Sequence, residues 1–150
     1  MPIRSIATLA LLCGFFPSGA LAQSWRAQGE GSAVVAGSLI EGELAGLRFS
    51  CTPQGVETRL THNGATFDRQ REHSVVLSVD GAARVLSMRA VPGQAGDDFV
   101  RRDAAEAAVP LLRALAAGRE VEVSAPSGRY SLPLAGSARA LSALEAGCAL

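Results

Sequence analysis

Asp80-Gly81 stands between two β-rich runs, Val75-Val76-Leu77-Ser78-Val79 and Arg84-Val85-Leu86-Ser87-Met88. Both turn residues tolerate the positive φ of a two-residue hairpin turn, so this stretch predicts an antiparallel pair with a fixed register. Its strands are apolar on most positions, which predicts a central place in a sheet.

The rest of the chain repeats the pattern at short intervals. Residues 44–51 place Leu47, Phe49 and Cys51 on one strand face, Pro53-Gln54-Gly55 turns, and Val56, Thr58 and Leu60 alternate with Glu57, Arg59 and Thr61. That alternation predicts a strand with one wet face. Asn63-Gly64 marks another turn. Residues 33–36 form a short strand candidate, residues 92–96 a loop, and residues 68–73 (Asp-Arg-Gln-Arg-Glu-His) a solvated loop. Residues 119–124 alternate again, with Val121 and Val123 inward and Glu120 and Glu122 outward. Beyond the turn Pro126-Ser127-Gly128, Tyr130, Leu132 and Leu134 keep the period of a strand.

Two segments carry helical spacing. Asp103-Ala-Ala-Glu106 has the form of a capping box. Pro110 argues against one long helix, because an interior proline costs about 3 kcal/mol. The first helix is therefore expected from Pro110 to just before Gly118, with Leu111, Leu112 and Leu115 inward. The second opens at Ser137 as N-cap, aligns Leu141, Leu144 and Cys148, and meets a natural stop at Gly147. Together these features predict a mainly β fold: an antiparallel β-sandwich or partly open barrel of about seven or eight short strands, with two short helices, the last at the C-terminus.

Residues 1–22 read as a secretory signal peptide. Arg4 supplies the positive end, residues 6–16 the apolar stretch, and Ala20-Leu21-Ala22 a small-x-small cleavage site. The apolar stretch is short for a membrane anchor, which needs about 20 residues. Cys13 lies within it and leaves with it. Residues 23–150 are then one β-rich domain with no membrane-spanning segment, expected in the periplasm or secreted.

The mature chain keeps two cysteines, Cys51 and Cys148, which in an oxidising compartment pair as a disulfide. The competing interpretations are two buried thiols or a metal pair. A structural metal site needs about four ligands, and neither His62 nor His73 has ligand spacing to a cysteine.

Once Arg4 is gone, 13 basic side chains face 14 acidic ones, so no long-range field draws in nucleic acid or an anionic membrane. Every basic residue is arginine. The absence of lysine excludes a P-loop lysine, a Schiff base and a Ser-Lys dyad together. No Gly-x-Ser-x-Gly elbow exists, and both histidines fall at turn or loop positions. The close carboxylate pairs are Glu41 with Glu43, Asp97 with Asp98, and Glu120 with Glu122. Asp97-Asp98 is the candidate for a weak calcium site, without the usual spacing of oxygen ligands. No metal site, cofactor or catalytic residue is assigned. The candidate partner contacts are Trp25, equally a core anchor, and the loop arginines Arg69 and Arg71.

Val79-Asp80-Gly81, the strand Val121-Glu122-Val123 after a leucine-rich segment, and the ending Leu132-Pro133-Leu134-Ala135-Gly136-Ser137 through Leu144 to Cys148 resemble two families of small exported bacterial proteins. One is the invasion-associated locus B family. The other is the type VI secretion accessory family TagO/VasI. The resemblance implies a β-sandwich-like periplasmic protein without catalytic residues. The expected function is a non-catalytic binding or accessory protein of the cell envelope, with a protein or other envelope component as partner. A small periplasmic hydrolase using a loop histidine and a carrier of an apolar ligand are the alternatives.

Overall fold

Nine strands form one antiparallel sheet in a computed structural model that describes residues 24–61 and 64–150. They are β1 (Trp25–Gln28), β2 (Val35–Ile40), β3 (Glu43–Thr52), β4 (Gly55–Leu60), β5 (Glu72–Val79), β6 (Ala82–Gly93), β7 (Gly96–Asp103), β8 (Glu120–Ala125) and β9 (Gly128–Pro133). Helix α1 (Ala105–Ala117) leads into β8, and α2 (Ser137–Cys148) ends the chain. The strand order is β1-β2-β3-β4-β7-β6-β5-β8-β9. One continuous sheet selects the partly open barrel over the sandwich. The expected signal peptide and the Asn63 half of the second turn lie outside the described residues.

The strongest sequence signal gives the cleanest hairpin. Asp80 (φ 47°) and Gly81 (φ 90°) both adopt the left-handed region, and Val79 pairs with Ala82. The Asp80 carboxylate also accepts the backbone N–H groups of Arg119 and Glu120, which fastens the hairpin tip to the start of β8. The β6 strand is not apolar on both faces, however. It buries Leu86, Met88 and Ala90 while Val85, Ser87 and Arg89 face solvent.

β1 and β9 share no ladder, so the sheet is not closed. The seam between them is bridged just beyond β9. The backbone N–H groups of Ser24 and Trp25 both donate to the Ala135 carbonyl, and the Trp25 indole Nε1 donates to the Pro133 carbonyl at 3.0 Å. Trp25 is fully buried, stacked with Phe49 at 6.3 Å between centroids. Its role is therefore the anchor that holds the two ends of the sheet together, and it is withdrawn from the candidate contacts. Its indole N–H finds an acceptor, as a buried tryptophan requires.

Both helices pack into the core formed by the inward strand positions. Ala108, Leu111, Leu112 and Leu115 of α1 and Ala140, Leu141 and Leu144 of α2 belong to one cluster with Trp25, Phe49, Leu77, Met88 and Phe99. Cys51 of β3 is bonded to Cys148 of α2, which clasps the last helix to the third strand.

Three local expectations are corrected. Helix α1 starts five residues before Pro110, with Ala104 as N-cap and no side-chain cap bond. Asp103 is engaged by Arg101 instead of capping. Proline in the second turn withholds one N–H from the Glu106 carbonyl, and burial of the leucine face offsets that loss. Second, Gly136 (φ 89°) caps α2. Ser137 is its first residue, buried, and its hydroxyl donates 2.8 Å to the Leu115 carbonyl, which α1 leaves unpaired at its end. Third, Gly147 lies inside α2. A Cβ there would meet the Gly31 carbonyl oxygen and Val34 Cγ1, both at 2.4 Å, so glycine lets the helix touch the turn after β1.

Candidate functional site

The polar groups that stand out are carboxylates taken out of water. Among the described residues Asp97, Asp98 and Glu57 are 1%, 6% and 8% exposed. A buried carboxylate persists only where donors replace its water. All three lie on β4 and β7, near the middle of the sheet.

Asp97 and Asp98 are successive strand residues, so their side chains leave opposite faces. They cannot chelate one ion as a pair, and no cluster of three potential metal ligands exists among the described residues. Each instead gathers arginine. Asp97 Oδ2 accepts the Phe67 N–H at 2.8 Å, and Oδ1 accepts Arg69 Nε and Nη2 at 3.0 and 2.6 Å. The Asp97 N–H donates to the Ala65 carbonyl. One residue of β7 thereby pins the segment from 65 to 69. Arg69 is about half exposed but committed to Asp97, whereas Arg71 is exposed at the end of that segment.

His73 belongs to β5 rather than to a loop. Its ring is half-buried, 5.8 Å from Phe67 and 5.2 Å from Phe99 between centroids, and Nε2 lies 2.8 Å from the Asp68 carbonyl. Among the described residues no serine or carboxylate side chain is bonded to it. His62 lies outside the described residues.

On the opposite face, Asp98 Oδ2 accepts Arg59 Nη1 at 3.0 Å. Glu57 Oε1 accepts Arg59 Nε and Nη2 at 3.2 and 2.9 Å, and its Oε2 accepts Arg102 Nε at 3.0 Å. The result is a chain of alternating charge, Asp98–Arg59–Glu57–Arg102. Burial works against the Arg59 charge, but its hydrogen bonds to Asp98 and Glu57, with their negative charges, outweigh it and hold its pKa above the ordinary value. Glu57 is thus no member of a wet face. Its pairing with Arg59 two residues along one strand, and with Arg102 directly across the sheet, keeps it dry.

Register extends this face across seven strands. Arg26 lies opposite Gly37, Gly37 opposite Arg48, Arg48 opposite Arg59, Arg59 opposite Val100, Val100 opposite Arg89, and Arg89 opposite Glu72. Four of these seven positions are arginine. Like charges directly opposite each other destabilise a sheet, and Arg48 faces Arg59 with no carboxylate of its own among the described residues. Arg48 Nε is sealed from solvent without an acceptor, at a cost of about 1–3 kcal/mol. Gly37 makes room for its stem, since a Cβ there would lie 2.8 Å from Arg48 Cγ. Beside it opens a cleft of about 340 Å³ lined by Leu44, Arg48, Arg59, Gln94 and Asp98 among others. A second cleft of about 570 Å³ lies further along the face, between Arg59, Glu72, Arg89 and Arg102.

Two other features are chemically quieter. On the inner face Arg101 grips Asp103 with Nε at 2.8 and 2.7 Å from the two carboxylate oxygens. That hydrogen bonding raises the Arg101 pKa. A cleft of about 780 Å³ lies between α2 and the turn after β1, with small residues Ala143, Ala146 and Gly147 along one wall.

Sequence reasoning singled out Arg69, Arg71 and the Asp97-Asp98 pair, but not the joining of Asp98 with Arg59, Glu57 and Arg102, nor Arg48. The signal available was the spacing of Glu57 and Arg59 two residues apart, which puts opposite charges on one strand face.

No protein-family model matches the chain, and no curated protein matches it. Among solved structures it is similar to the crystal structure of invasion associated protein B from Bartonella henselae, at 16% sequence identity and a TM-score of 0.50, over 79% of this chain and 94% of that one. At that identity the likeness is one of fold.

Proposed function

We propose that this chain is an exported binding or accessory protein of the bacterial cell envelope that acts without catalysis. The observation that carries the proposal is the Cys51–Cys148 bond. It joins residues 97 apart in sequence and holds the last helix in place, an investment that persists only where thiols are oxidised. The fold shared with an invasion associated protein supports the same placement. Kinship with the TagO/VasI accessory proteins is part of the proposal and rests on the strand and helix that end the chain. No helix among the described residues is long and apolar enough to cross a membrane.

The non-catalytic character is supported by how the polar side chains are spent. His73 packs against two aromatic rings that also touch each other, and the buried carboxylates hold arginines. These are groups locked into the scaffold, while the arginine-bearing outer face is what a partner would meet.

Thiol counting on protein recovered from the envelope and the medium tests the proposal. It predicts no reactive thiol before reduction and two afterwards. In the chain-entropy model a loop of this length contributes about 4–5 kcal/mol, so reduction should lower the melting point by roughly 10–20 °C. Two reactive thiols in the unreduced folded protein, or its recovery only from the cytoplasm, would contradict it.

A further inference from the structure

Every buried carboxylate on the outer face is taken by Arg59 or Arg102, and Arg48 is left over. We propose that the cleft beside Arg48 is a binding site for a carboxylate carried on a short aliphatic stem.

Three observations converge on it. Arg48 is half-buried, its Nε is enclosed without an acceptor, and the side chain lines the cleft, so an anion there would meet the accessible part of the guanidinium. Arg48 also stands directly across from Arg59, so an anion seated between them would relieve a like-charge pair that the sheet otherwise tolerates. Finally, the cleft of about 340 Å³ has apolar wall at Leu44 and Ala45 next to a polar amide at Gln94. That combination suits a planar acid head on a short hydrocarbon stem.

A carboxylate fits the planar fork of arginine through two parallel hydrogen bonds, which a spherical halide cannot do. Asp98 also lines the cleft, but its charge is engaged by Arg59 and its side chain is only 8% exposed. The Arg59 guanidinium is thereby fixed in place as the second positive wall. The site does not depend on where the protein resides or on the identity of its partner, so it can fail while the envelope proposal stands.

The test is a titration of the intact oxidised protein followed by the arginine Nε–H resonances in nitrogen-15 NMR, with ionic strength held constant by sodium chloride. Succinate should shift the Arg48 resonance saturably, with a smaller shift at Arg59. Arg48→Gln should weaken succinate binding about tenfold or more, given the strength of bidentate pairing, while Arg84→Gln, a change at an exposed arginine outside this cleft, should leave it unchanged. Arg48→Lys keeps the charge without the fork, and loss of binding in that variant too would assign recognition to the fork. No saturable shift at Arg48, or a uniform unsaturated drift of all arginines, would overturn the proposal. So would tighter binding of inorganic phosphate than of succinate, or full binding retained in Arg48→Lys. A blocked Ala-Glu-Ala peptide separates the two sources of the same chemistry. Tighter binding than succinate assigns the site to an acidic side chain of a protein, and weaker binding assigns it to a small dicarboxylate.

Discussion

Asp97 and Asp98 are neighbours in sequence with the same side chain and nearly the same burial, yet they do different work. Asp97 is saturated from within its own surroundings. Its Oδ1 accepts two N–H groups of one arginine and its Oδ2 a backbone N–H, and these donors come from one short segment. Asp98 enters a chain in which two carboxylates are shared by two arginines, beside a third arginine that has none. The first arrangement is closed and serves folding. The second is electrically incomplete at one end. The strand's period of two sends one carboxylate to each face, and cross-strand neighbours decide whether the charge account closes there.

Substitutions can sharpen that contrast. Asp97→Ala should be the most damaging, about 3 kcal/mol, because the Phe67 N–H loses this acceptor and Arg69 loses its anchor. Hydrogen exchange should show the Phe67 amide exchanging much faster in the variant. A loss below about 1 kcal/mol would mean that the segment from 65 to 69 is held by something else. Glu57→Ala should cost less, about 2 kcal/mol, since Arg59 retains Asp98 while Arg102, two-thirds exposed, returns to water. Asp98→Ala should cost about 1 kcal/mol, because Arg59 keeps its two bonds to Glu57. Both are read from urea unfolding midpoints. The double substitution should exceed the sum of the two, because Arg59 then has no acceptor on that face. Strict additivity would show that the four side chains do not act as one chain.

Much of the fold was legible in the sequence. Asp80-Gly81 marked the turn of a hairpin that the structure contains, with strands that run beyond the expected 75–79 and 84–88 to Glu72–Val79 and Ala82–Gly93, and the alternation of residues 44–60 and 119–134 marked four more strands. β7 was not legible, because five of its eight residues are charged and charge reads as loop. Its ionic residues are tolerated in a sheet only because partners on β4 and on the segment from 65 to 69 meet them, and those partners lie 28 to 45 residues away in sequence. The same long-range pairing hid the site. Glu57 and Arg59 look like the wet face of a strand until β7 is laid beside them. Helix α1 misled for the opposite reason: Leu111, Leu112 and Leu115 were expected inward, but the local penalty at Pro110 set the start, whereas the helix begins at Ala105 and buries Ala108 ahead of the proline. The cysteine pair needed no such context, since two cysteines allow one connectivity.

The open end of the charged chain is the claim most worth testing directly, and the unfolding free energy of Arg48→Gln at low salt tests it. If Arg48 is an unpaired guanidinium held opposite Arg59, its removal should leave stability unchanged or raise it by up to about 1 kcal/mol, as like-charge repulsion and an unsatisfied donor are both relieved. A loss of about 2 kcal/mol or more would mean that the fold itself satisfies Arg48, and the cleft beside it would then be part of the scaffold rather than a place kept for a ligand.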